Sequence, residues 1–213
     1  AQFQTREFED RFIQIGLPYK IVGGFRFYER AEIRDALAYL RVVAQPADDL
    51  AFERIYNQPK RGLGAKTLEK VHVHARRQAL PLAAATIDIC DTDELPARAR
   101  NTFMALMRDF ARWRDLAQTL SPAELARTVL DESGYTAMLQ AEKSAEAAGR
   151  LENLSELARA MEDYETLGDF LEHVSLVMDN EASADEAKVT MMTIHGAKGL
   201  EFEHVFLAGW EEG

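Results

Sequence analysis

Between His195 and Glu201 the chain sets an imidazole, an ammonium and a carboxylate (His195, Lys198, Glu201) around two glycines, Gly196 and Gly199, with Thr193 just ahead. A hydroxyl and an imidazole donate to phosphate, and the ring can stack on a base. A carboxylate accepts hydrogen bonds at two oxygens. An ammonium at position 198 can sense phosphate. Groups of this kind so close together mark a binding site rather than a plain connection; no nucleophile triad is visible. A second group is Lys60-Arg61-Gly62-Leu63-Gly64-Ala65-Lys66-Thr67. Two glycines let the backbone approach a phosphate, and a helix starting near Ala65 would point N–H groups and a positive dipole end at it. Lys60, Arg61 and Lys66 add charge, and Thr67 adds a hydroxyl. A Gly-x-Gly pair alone is equally an ordinary loop. Paired acids such as Asp48-Asp49 read as helix caps rather than as a general acid and base, and His72, His74 and Cys90 lack zinc-ligand spacing and a fourth ligand.

These groups need elements to hold them. Val189 to Ile194 and His204 to Ala208 are apolar runs on either side of the His195 loop, and Tyr19 to Val22 is a third short run. All three read as strands of a thin α/β sheet, in which the loop after a strand's carboxyl end is where ligands sit. Phe8, Phe12 and Ile15 lie at helical spacing in Thr5–Ile15, and a helix follows from about Ala31 to Ala44. Pro46-Ala-Asp-Asp49 is turn chemistry with a capping aspartate. From there to about Val177 nearly everything reads as helix. Ser121-Pro122-Ala-Glu124 is a capping box with proline at the first helical position. Phe103, Leu106, Met107, Phe110 and Trp113 form one apolar stripe, and Leu151, Leu154, Leu157, Ala158 and Met161 form another. Such stripes are packing faces. Asp179 to Glu186 reads as a polar linker. The expected fold is mainly α, a helical block over 46–187 inserted between two pieces, 1–45 and 188–213, of a partial parallel α/β domain.

Composition sets bounds. The 213 residues are 47% apolar, enough for a core in one domain or two small ones. One cysteine, Cys90, excludes an internal disulfide and fits a reducing, cytoplasmic setting. No apolar run has the length of a membrane span, and no membrane partner is expected. A net charge of −11 argues mildly against nucleic acid, but the charge is uneven. Six basic residues face only Glu69 between Lys60 and Arg77, whereas thirteen acids face three bases between Glu142 and Glu186. Two readings follow: solvated helix faces, or a basic contact zone on an otherwise repelling body.

The motifs resemble those of the UvrD/Rep/PcrA helicases of superfamily 1. Thr193-Ile-His195-Gly-Ala-Lys198-Gly199-Leu-Glu201-Phe202, followed by an apolar run and Glu211-Glu212-Gly213, looks like that family's motif V. Tyr19 to Arg41, with Gly23-Gly24-Phe-Arg26-Phe27-Tyr28-Glu29-Arg30, is similar to motif IVa. Phe52-Glu53-Arg54-Ile55 with Pro59 to Leu68 resembles the duplex-contacting Gly-x-Gly segment, and Phe170-Leu171-Glu172-His173 matches a further signature. The resemblance covers essentially the whole chain, loosely over 80–165. It implies a mobile helical domain, 2B, interrupting a RecA-like domain, 2A. It further implies that Thr193, His195 and Arg30 meet single-stranded DNA, and that Lys60, Arg61, Gly62, Gly64, Lys66 and Thr67 meet duplex. Glu201, Lys198 and Gly199 would meet ATP, with Glu201 on the ribose. For Arg30 an ion pair with Glu29 or Glu32 is the competing reading.

The resemblance implies a parent enzyme that is an ATP- and magnesium-dependent 3′-to-5′ DNA helicase, with repair or replication proteins as possible partners. The chain has no Gly-x-x-x-x-Gly-Lys-[Ser/Thr] loop. It starts at Ala1 and is read as an excised piece, inactive as an ATPase by itself and with no cofactor bound. Two other readings stand beside this one: a non-catalytic helical module that binds proteins through its acidic 142–186 face, and part of a helicase–nuclease.

Overall fold

The computed structural model describes residues 5–22, 27–144, 146–179, 189–194 and 197–208. By contacts the chain forms two compact units, Ala1–Arg26 with Ser183–Gly213, and Phe27–Ala182.

In the smaller unit, helix α1 (Thr5–Gln14) precedes strand β1 (Tyr19–Val22), which pairs in parallel with β2 (Val189–Met192). The register sets Tyr19 opposite Val189 and Val22 opposite Met192, and Val189 N–H donates to the Pro18 carbonyl at 2.8 Å. Phe12 of α1 packs on Tyr19 with ring centroids 5.7 Å apart, and the Tyr19 hydroxyl donates to the buried Glu9 carboxylate at 3.2 Å. The third expected strand is not formed: His204–Ala208 has no ladder partner among the described residues and is exposed, Phe206 at 94%. An apolar alternation makes a strand only when a neighbour takes up its backbone groups. The expected linker over 179–186 falls almost wholly outside the described residues.

The larger unit is helical. Helix α2 (Ala31–Ala44) runs through its middle, packing on α3 (Asp49–Ile55), α6 (Ala97–Leu116), α7 (Pro122–Glu132), α9 (Ala147–Ala160) and α10 (Leu167–Asp179). α4 (Ala65–Gln78) and α5 (Leu82–Cys90) pair with each other, and α8 (Tyr135–Ala141) lies on α7 and α9. The larger compact unit thus begins at Phe27 and takes in α2, which the sequence reading grouped with residues 1–45. The reason is that α2 is buried on nearly every side, with Ile33, Ala36, Tyr39, Leu40 and Val43 all in the core, and the helices that pack on it belong to this unit.

Two acids on α2 are buried with it, and both are answered. Asn153 Nδ2 donates to Glu32 Oε1 at 2.6 Å, and the Tyr135 hydroxyl donates to Asp35 Oδ2 at 2.8 Å. Arg54 Nε lies 2.6 Å from Asp35 Oδ1, but its N–H is not aimed at that oxygen, so this contact is an ion pair rather than a hydrogen bond. Burial, then the Asp35 charge, push the Tyr135 phenol far up, so it stays a donor. The expected stripe of α6 is core: Phe103, Phe110 and Trp113 are at most 1% exposed. Tyr39 joins it, stacked on Phe110 at 6.0 Å and edge-on to Trp113 at 6.2 Å. Local signals also hold. Ser121 Oγ accepts from Glu124 N–H while Glu124 accepts from Ser121 N–H, closing the capping box of α7, and Asp48 accepts from Ala51 N–H at the start of α3.

Candidate nucleic-acid interface

The loop from Asn57 to Gly64 is built by one amide and one guanidinium. Asn57 Oδ1 accepts from Arg61 N–H at 2.7 Å and from Leu63 N–H at 3.2 Å, folding the chain around itself. Leu63 is buried beneath the turn. Gly62 has φ of +77°, a left-handed conformation that L side chains resist. Gly64 then sits extended at the N-cap of α4. It has no side chain to cap the helix, whose first N–H groups lack partners within the helix. Lys60 and Lys66 are exposed on either side, and Thr67 is half-buried with its N–H on the Gly64 carbonyl at 2.9 Å.

Arg61 is the exception among the expected duplex contacts, because its guanidinium turns inward. Nη1 donates to the carbonyls of Ile55 at 3.0 Å, Pro59 at 3.2 Å and Tyr56 at 3.4 Å. Nη2 donates to the Tyr39 hydroxyl at 2.6 Å and the Ser133 carbonyl at 3.1 Å. A guanidinium with this many internal acceptors has its donors spent inside the loop, where it holds the turn in place. Asn57 and Ser133 were not legible as parts of the site. Asn57 had a signal in its type and position, an asparagine just ahead of a proline and a Gly-x-Gly.

The basic run from 60 to 77 is also thinner than its composition. Arg77 donates to Glu94 at 2.7 Å, and Lys70 donates to the Glu94 carbonyl at 2.6 Å. The hydrogen bond from Arg77 holds the Glu94 carboxyl below the usual carboxylate range. Arg77 also donates to Nδ1 of the buried His74 at 2.9 Å, which leaves Nε2–H to donate to Asp88 at 2.6 Å. His74 thus clasps α4 to α5. Lys60 and Lys66 remain outward.

The second expected group lies in the smaller unit. Thr193, Lys198 and Glu201 are exposed, and His195 falls outside the described residues. Ala197 N–H donates to the Thr193 carbonyl and Leu200 N–H to the Ala197 carbonyl, both at 3.0 Å, so residues 197–200 form a turn. Gly199 has φ of +84° at that turn. Arg30 stands in the helical unit: Nη1 donates to Asn153 Oδ1 at 2.6 Å, and its guanidinium lies 5.5 Å from the Phe27 ring centre. Its link to Glu32 runs through Asn153.

The fold and loop define a helical protein that carries a glycine turn between two exposed lysines at a helix N-terminus, joined to a small unit with a parallel strand pair. The chain belongs to the UvrD-like helicase C-terminal domain family, whose model matches residues 2–213. It is similar to the probable DNA helicase II homolog of Rickettsia felis, with 46% identity over all of this chain and 33% of that protein. It is also similar to the ATP-dependent DNA helicase PcrA of Bacillus subtilis, with 41% identity over 99% of this chain and 30% of that protein. The chain therefore spans about a third of the length of the curated relatives it matches. No described helix is long and apolar enough to cross a membrane.

Proposed function

We propose that this chain supplies the duplex-gripping helical domain, 2B, and part of the second motor domain, 2A, of an ATP-dependent 3′-to-5′ DNA helicase. The observation that carries the reading is the Gly62–Gly64 turn, with an uncapped helix N-terminus behind it and the exposed Lys60 and Lys66 beside it. Backbone N–H groups and lysines read phosphate without reading sequence, which suits an enzyme that must grip any duplex. Thr67 adds a hydroxyl to the same helix end.

In the smaller unit, Thr193 and His195 would meet the single strand. Lys198, Gly199 and Glu201 would meet ATP, whose magnesium is bound in the rest of the motor. The exposed ammonium and carboxylate fit the edge of a nucleotide site: they can touch phosphate and ribose but do not enclose either. ATP supplies the free energy for translocation. This loop would tie nucleotide to strand, because both contacts hang on one short turn after β2. Arg30 enters the reading as an anchor of the helical unit. The parent would act on cytoplasmic DNA in repair or replication.

The test is fluorescence-anisotropy binding to a hairpin duplex with a 3′ single-stranded tail, with salt varied and a Lys60→Ala/Lys66→Ala variant alongside. The expected result is binding that falls steeply with salt and is weakened in the variant. No binding by the wild-type chain at low salt would overturn the grip and favour a protein-binding module.

A further inference from the structure

Arg61 is spent inside the loop, yet a second arginine reaches the same turn from elsewhere in the chain. Arg98 stands in the first turn of α6, and its Nη2 lies 3.8 Å from where a β-carbon on Gly62 would be. It is exposed and makes no side-chain hydrogen bond or ion pair among the described residues. Its neighbours differ. Arg100 donates to the Thr92 carbonyl at 2.9 Å and pairs with Asp93 at 3.3 Å. The acids that share a cavity wall with Arg61, Asp109 and Glu132, are both taken by Arg112, at 3.2 and 2.6 Å. Among the described residues no carboxylate pairs with Arg98. Because Gly62 has no side chain, the guanidinium lies against bare backbone, and the outer face of the turn stays open beside it.

We propose that Arg98 is a duplex-backbone contact, the arginine that meets phosphate at the Gly62 turn in place of Arg61. The assignment rests on the duplex-grip reading above and adds a residue to it. A planar guanidinium offers two parallel N–H groups to a phosphate, a stronger and more directional contact than a lysine ammonium. Two residues of chain, at most about 7 Å, separate Gly62 from the N-cap of α4, so Arg98 and that helix end serve one stretch of backbone. Arg61 is then a positioning residue, which holds the loop while Arg98 and the lysines make the contact.

The experiment compares Arg98→Ala, Arg98→Lys and Lys60→Ala/Lys66→Ala in the 213-residue chain. Anisotropy is read on the tailed hairpin and on a single strand of equal length, across a salt series, with thermal melts of each protein. Arg98→Ala is expected to keep the wild-type melting temperature and bind the hairpin about tenfold more weakly, with a salt slope reduced by about 0.9. Arg98→Lys should recover part of the affinity, and single-strand binding should not change. Wild-type affinity and slope in Arg98→Ala, with the lysine variant weakened, would overturn the Arg98 assignment and leave the grip standing. An equal loss on single strand and hairpin would overturn the duplex assignment of Arg98. Absence of duplex binding by the wild-type chain would remove the grip reading itself.

Discussion

The Tyr39 hydroxyl accepts from Arg61 Nη2 at 2.6 Å and donates to the Gln58 carbonyl at 2.6 Å, so one phenol fastens the Gly62 loop to helix α2. Burial pushes this phenol up, against the opposing pull of Arg61, which keeps it protonated and able to donate.

Tyr39→Phe removes both bonds and keeps the ring in the Phe110–Trp113 cluster. The expected loss is about 1–3 kcal/mol of stability, since a carbonyl and a guanidinium N–H each lose a partner. Urea denaturation followed by tryptophan fluorescence, from Trp113 and Trp210 together, measures it. A midpoint equal to wild type would show that the two bonds carry no net stability.

Gly62 and Gly64 should separate folding from binding. An alanine at position 62 must adopt φ near +77° and is expected to cost about 1–2 kcal/mol. Gly64 has ordinary φ of −76° and open space around its β-carbon position. Gly64→Ala should cost less than about 1 kcal/mol of stability, the difference between glycine and alanine at an N-cap. Its added methyl stands before the α4 N-terminus and should weaken hairpin binding several-fold. If Gly64→Ala binds duplex like wild type, close approach of a phosphate to that backbone is not part of the grip.

Glu132 gives a pH signature. The hydrogen bond from Trp113 Nε1 at 2.7 Å, with help from Arg112, holds its carboxyl below the usual carboxylate range. A depressed folded-state pKa contributes stability that is present above the unfolded value and lost as pH falls through the folded one. Melting temperature should therefore drop as pH is lowered below the ordinary glutamate value, and Glu132→Gln should flatten part of that drop. Superimposable pH profiles for the two proteins would remove Glu132 from the acid response.

The nucleotide role proposed for Glu201 has its own test. In the helicase proposed above, Glu201→Ala should raise the KM for ATP, because the proposed ribose contact would lose its acceptor. Steady-state ATPase measurements with saturating single-stranded DNA check this, and unchanged kinetics would sink the ribose role.

The sequence by itself determined what depends on a few neighbouring residues. The Ser121–Glu124 box, the Asp48 cap and the α6 stripe from Phe103 to Trp113 could be read directly, because capping and helical periodicity act within one or two turns. The Gly62–Gly64 turn was readable for the same reason. Only the tertiary structure decided where each long side chain spends its donors. Arg61 and Arg98 are alike in sequence, yet one meets Tyr39 and Ser133 while the other lies over Gly62. Those partners lie far apart along the chain, and no spacing rule reaches them. The placement of α2 in the helical unit and the failure of His204–Ala208 to form a strand have the same origin. A helix's surroundings and a strand's ladder partner come from other segments, so an apolar pattern states a need for burial or pairing without saying which segment meets it.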